Sequence, residues 1–167
     1  MTLSELNDAP LEVVKPALLR CCGSTFWAKN VFYSRPFESK SDLISKSDHS
    51  WSLCTEADAL EAFRHHPKIG SIESLEKKFA STASWAENEQ QSVKEANRET
   101  LVKLSKGNQE YEDKFGYIFI VFATGKTAGE MLEILELRLK NSPEDEILIA
   151  MEEQNKITKL RLEKLIG

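Results

Sequence analysis

This sequence predicts an all-α domain, and three observations carry that prediction. Apolar residues recur at three- and four-residue spacing over several long stretches. Helix-start signals stand in front of those stretches. The one strand-like run, "YIFIVFA" at 117–123, has no obvious partner strand elsewhere in the chain. A lone strand leaves its backbone groups unsatisfied, so an extended or helical apolar segment is expected there. The 167 residues suffice for one domain, 1–167, with a continuous core.

The elements follow in order. "DAPLEVVKPALLRCC" reads as the first helix, with Asp8 as its cap and Pro10 near the first turn. Residues 23–54, rich in Ser, Asp and Lys, read as loops and short helices. "TEADALEAFRHH" opens with Thr55 and has Asp58 three residues on, close to a capping box. Pro67 disfavours helical geometry at His66, so this helix should end near His65. "SWAENEQQSVKEANRETLVKLSKGNQEYEDKF" reads as a helix, with Gly107 as a candidate interruption. "TAGEMLEILELRLK" begins with a Thr127–Glu130 capping box and carries Met131, Ile134, Leu135 and Leu139 at helical spacing. From Ser142, Pro143 and an acidic first turn, the last stretch runs as one long helix.

Composition excludes several functions. A net charge of −5, with basic residues interleaved among acids, argues against a nucleic-acid surface. Cys21, Cys22 and Cys54 make an odd count without repeated spacing, so reduced thiols are expected rather than disulfides or a zinc site. "YIFIVFA" is too short to span a bilayer, and no membrane partner is expected. "MTLSELNDAP" lacks the basic and apolar regions of a signal peptide, and "EKLIG" carries no peroxisomal address. The expected location is the cytoplasm. "ATGKTAGE" invites a phosphate-loop reading, but the required glycine is Ile120 and the capping box accounts for Thr127. Adjacent histidines do not chelate one ion easily and no helical His pair exists, so no metal site is predicted.

Polar residues on apolar helix faces are the informative ones. With Ile147 as origin and about 100° per residue, Ala150, Met151, Ile157 and Leu165 fall on one face of the last helix. Glu152, Lys156, Lys159 and Glu163 gather opposite, but Arg161 and Gln154 lie on the apolar side. A core-facing guanidinium needs an anion, supplied either by an internal ion pair or by a bound carboxylate or similar ligand. On the helix from Trp85, the face of Trp85, Ala86, Val93, Ala96, Thr100 and Leu104 includes Glu89, whereas Glu87 joins a solvated cluster with Lys94 and Arg98. Glu89 is either scaffold, paired with Arg161 or a lysine, or functional. His66, extended before its proline, is aimed by the turn, and imidazole is the side chain best suited to moving protons near neutrality. Together His66, Glu89 and Arg161 would supply an acid–base group, a carboxylate that orients it, and an anion clamp.

"LEAFRHHPKIG", the Glu89–Gln90 pair, "YEDKFGYIFIVFATGKT" and "KITKLRLEKL" run in order from residue 60 almost to the C-terminus. This set resembles the decarboxylases of 2-oxo-4-hydroxy-4-carboxy-5-ureidoimidazoline (OHCU), which belong to the degradation of urate to allantoin. "WAKNVFYSRPFES" resembles the family's amino-terminal part more loosely. The resemblance implies a compact all-α fold, often a homodimer, acting on the small molecule OHCU without metal or organic cofactor. It implies His66 as the catalytic residue, assisted by Glu89. Substrate contacts would come from Pro67, Ala86, Gln90, Phe119, Ile120, Val121 and Arg161. Ala86 departs from the serine that many members carry three residues before the glutamate. The register Ser84–Glu87–Asn88 would restore a serine but puts Glu87 on the solvated face, so Glu89 is preferred. The competing class is a non-catalytic all-α interaction module in which Glu89 and Arg161 are a scaffold pair.

Overall fold

The computed structural model describes residues 1–68, 70–79 and 90–167, with only the backbone of 90–96. Among the described residues there are nine helices and no strand, as the sequence predicts. Contacts divide the chain into two compact units. The first comprises Met1–His66, Ile120–Phe122 and Ile147–Gly167; the second comprises Pro67–Phe119 and Ala123–Glu146.

The first unit begins with α1 (Leu3–Asp8), opened by a reciprocal capping box between Thr2 and Glu5. Asp8 therefore ends α1 instead of capping the next helix, a correction to the sequence reading. Pro10 is the N-cap of α2 (Leu11–Cys21), and its missing N–H costs nothing in a first turn. Residues 23–54 also hold more helix than expected: α3 (Thr25–Tyr33) and α4 (Lys40–Ser52). Ser24 and Ser39 cap them by accepting the N–H groups of Trp27 and Asp42. The serines that suggested loops are thus helix starts. The α5 helix (Glu56–Arg64) has the full Thr55–Asp58 capping box and ends on His65, as Pro67 dictates. Buried Trp27, Leu18, Val31, Leu43 and Phe63 form the core. The indole N–H groups of Trp27 and Trp51 are satisfied by the carbonyls of Ser47 and Met151, at 3.2 and 3.0 Å.

In the second unit, α6 (Ile72–Phe79) and α8 (Ala128–Arg138) each pack on α7 (Gln90–Phe115). Gly107 does not interrupt α7. A Cβ there would lie 2.7 Å from Leu135 Cδ2, so its absence allows α7 and α8 to approach closely. Gly116, at φ +81°, then ends the helix in the left-handed conformation. Residues 118–123 form neither helix nor strand, where an extended or helical segment is expected from the sequence at 117–123.

The last helix, α9 (Pro143–Leu165), is continuous as predicted. Its buried row is Glu146, Ala150, Gln154, Thr158 and Leu162, at four-residue spacing. Ile147, Met151, Ile157 and Leu165 are only half-buried, so a wheel centred on Ile147 was rotated from the true face. Hydropathy discounts Glu146 and Thr158, which occupy that row with Gln154, the residue the sequence already placed on the apolar side. In the second unit Glu146 is fully buried and ion-paired to buried Arg138, whose Nε donates at 2.6 Å. Tyr111 Oη and Asn141 Nδ2 also donate to its carboxylate.

Replacing Arg138 with Met leaves the Glu146 carboxylate buried without its counter-charge. Unfolding free energy should fall by about 3–5 kcal/mol in urea denaturation, and the Arg138→Met, Glu146→Gln double variant should recover part of the loss.

Candidate functional site

The end of α5 positions the central side chain. His65 is the C-cap, and the next residue, His66, still donates its backbone N–H to the Phe63 carbonyl at 3.2 Å. His65 packs against Gly23, where a Cβ would lie 2.5 Å from His65 Cβ; this close approach requires glycine. His66 thus leaves the helix on a fixed turn and is half-buried.

Its Nε2 lies 2.6 Å from Oε1 of Gln154, which is fully buried on α9. Gln154 Nε2 donates to Thr158 Oγ1 at 3.1 Å, and the Thr158 hydroxyl donates back to the Gln154 main-chain carbonyl at 2.9 Å. Arg161, one turn further, is half-buried rather than in the buried row. Its Nη1 makes long hydrogen bonds of 3.4 Å to the carbonyls of Arg20 and Cys21, at the negative end of the α2 dipole.

Burial pulls the His66 pKa below the usual histidine value. The Gln154 hydrogen bond pushes it up, and the Coulombic influence of Arg161 and of His65 adds to the lowering. The ring is therefore neutral near pH 7. Burial pushes the Cys22 thiol up to about 12, against the hydrogen bonds of the Ser24 backbone and the Thr158 side chain. Cys22 is accordingly an inert thiol in this neighbourhood.

The segment carrying Ile120 and Val121 is pinned to α9, because the Phe122 N–H donates to Glu153 Oε2 at 2.6 Å. Ile120 is buried and Val121 half-buried. The first unit thus holds four of the expected site residues: His66, Ile120, Val121 and Arg161. Pro67 and Phe119 belong to the second unit, where the Phe119 ring sits edge-on to Tyr111 and under the Arg138 guanidinium, 4.8 Å from its centroid. Ala86 and Glu89 lie outside the described residues, as do the Ser84–Glu87–Asn88 alternative and the side chain of Gln90. Thr158 and Glu153 were not singled out from the sequence. The four-residue Gln–Thr spacing was visible, but nothing in a single sequence shows that an imidazole meets the amide.

An all-helical frame with a neutral imidazole, a buried amide and a guanidinium in one unit is the class that fold and site define. The chain belongs to the OHCU decarboxylase family, whose model matches residues 7–163. It is 37% identical over 149 residues to the uric acid degradation bifunctional protein TTL of Arabidopsis thaliana, a match covering 88% of this chain. The chain spans only 45% of that protein's length. It is 30% identical to the 2-oxo-4-hydroxy-4-carboxy-5-ureidoimidazoline decarboxylase of Halalkalicoccus jeotgali, over 99% of this chain and 92% of that protein. A crystal structure of OHCU decarboxylase in the presence of (S)-allantoin superposes with a TM-score of 0.71 at 36% identity, over 89% of this chain and 95% of that one.

The depressed pKa has a defined consequence for stability. Above about pH 6.5 neither folded nor unfolded His66 binds a proton, and its contribution is fully present. As pH falls through 6.5 toward the lower folded value, the unfolded chain gains a proton first and stability drops. Denaturation midpoints should decline in that window for the wild type, and His66→Asn should flatten the decline.

Proposed function

We propose that this chain decarboxylates OHCU to (S)-allantoin in urate degradation, and that residues 1–167 act as one functional domain. The observation that carries this reading is the His66 imidazole, held neutral on a fixed turn at the position where the family's histidine–proline motif falls. Family membership across residues 7–163 supports it.

The chemistry asks for little besides placement and proton control. The bond from the ring carbon to the carboxylate breaks, carbon dioxide leaves, its electron pair forms a ring C=C, and the C=N pair moves onto the ring nitrogen, which takes a proton from solvent. The hydroxyl on that carbon then loses its proton to become the carbonyl, and the ureido-bearing carbon gains one. Because the substrate ring accepts the electrons, a cofactor sink is not needed, and catalysis reduces to orientation and electrostatics. Neutral His66 is the base for the hydroxyl proton and the donor to one face of the ring carbon. Glu89 orients His66, by the resemblance. Arg161 attracts the carboxylate or polar ring and ureido atoms, and its charge adds to the burial that disfavours protonation of the imidazole. Pro67, Ala86, Gln90, Phe119, Ile120 and Val121 are assigned to substrate binding by the same motif match. Alanine at 86 removes a hydroxyl contact and loosens selectivity among close analogues. A homodimer follows from the resemblance, and a cytoplasmic location fits free Cys21, Cys22 and Cys54.

The test generates fresh OHCU from urate with the two upstream activities and follows chiral allantoin by circular dichroism. Rapid appearance of one enantiomer is expected. His66→Asn should lose about 10²–10⁴-fold in rate with its helical spectrum intact, while His65→Asn should be mild. Formation no faster than the racemic background would overturn the reading and favour the non-catalytic module.

A further inference from the structure

The hydrogen bonds around His66 form a directed chain. A threonine hydroxyl has one proton. In Thr158 that proton faces the Gln154 main-chain carbonyl, an atom that can only accept, and the Cys22 thiol that also meets Thr158 keeps its own proton to donate. Thr158 Oγ1 is left to accept from the Gln154 side chain, so the amide turns its NH2 toward Thr158. Its oxygen then faces His66 Nε2. A carbonyl oxygen cannot donate, and the proton in that contact has to sit on Nε2. The reverse chain would turn the amide over, leave the Gln154 carbonyl without the threonine proton, and move the imidazole proton to Nδ1.

We propose that Gln154 and Thr158 are positioning residues that hold neutral His66 in the Nε2–H tautomer, leaving Nδ1 as the ring atom that exchanges protons with substrate. The role of Nδ1 toward substrate rests on the decarboxylase reading; the tautomer itself does not. Both positioning residues are buried, so water does not compete for these bonds. Thr158 sits on the same helix as Gln154, one turn on, and the amide orientation is thereby built into α9. An imidazole locked in one tautomer presents its lone pair on the same side at every turnover. That constancy is what protonation of a single ring face requires.

The test is a two-bond nitrogen–proton correlation spectrum of protein labelled with 15N at the imidazoles, recorded well above neutrality. The chain has three histidines, and the signal lost in His66→Asn identifies the one in question. The wild type should show the Nε2–H pattern. Thr158→Val should lose the preference and populate both tautomers, and Thr158→Ser, which keeps the hydroxyl, should retain it. Gln154→Leu should also lose it, but the Val and Ser pair at 158 decides if that variant fails to fold. An Nδ1–H pattern in the wild type, or an unchanged pattern in Thr158→Val, overturns the proposal. On OHCU, Thr158→Val should lower kcat roughly tenfold or more with KM nearly unchanged, and Thr158→Ser should restore it. A wild type that shows the Nε2–H pattern but does not turn over OHCU would refute the decarboxylase reading and leave the tautomer assignment standing.

Discussion

A buried polar side chain must find its partner inside the protein, because water is no longer there to supply one. Helix α9 buries three such residues, Glu146, Gln154 and Thr158, in a single row. An unpartnered neutral group there would cost about 1–3 kcal/mol, and an unpaired carboxylate more. Each has therefore recruited a specific neighbour within its own unit. In the second unit Glu146 takes the guanidinium of Arg138, the Tyr111 hydroxyl and the Asn141 amide. In the first, Gln154 takes the His66 imidazole and the Thr158 hydroxyl. The same physical demand thus produces a structural ion pair at one place and an amide–imidazole contact at another.

The two outcomes differ in what the partners leave over. Glu146 is fully buried, and both of its oxygens are engaged by donors. Nothing about it calls for a ligand. His66 is half-buried, and one of its two ring nitrogens carries the Gln154 bond. Its environment is electropositive, with Arg161 and His65 both opposing protonation. Among the described residues, Arg161 meets main-chain carbonyls, both at the long distance of 3.4 Å.

Much of this was legible in the sequence, for local reasons. Capping boxes at Thr55 and Thr127 are short-range hydrogen-bond devices, and both helices start where those residues stand. Pro67 restricts the residue before it, so α5 stops at the histidines. Where local signals were read too simply, the outcome differed. Thr2 and Glu5 start a helix ahead of Asp8. Ser24 and Ser39 cap helices longer than those expected in 23–54. Gly107, costly to an isolated helix, is retained because Leu135 occupies the space its side chain would need.

The sequence by itself determined the helical class, both ends of α5, the starts of α8 and α9, the family motifs and the histidine worth watching. Each of these depends on residues within a few positions of one another. Only the tertiary structure decided the centre of the buried face of α9, since hydropathy points to Ile147 and burial adds Glu146 and Thr158 beside Gln154. It also decided that His66 meets Gln154, 88 positions away, and that Arg161 sits over the end of α2. Those pairings arise when distant polar groups lose water together and must satisfy each other, a requirement that no local spacing records.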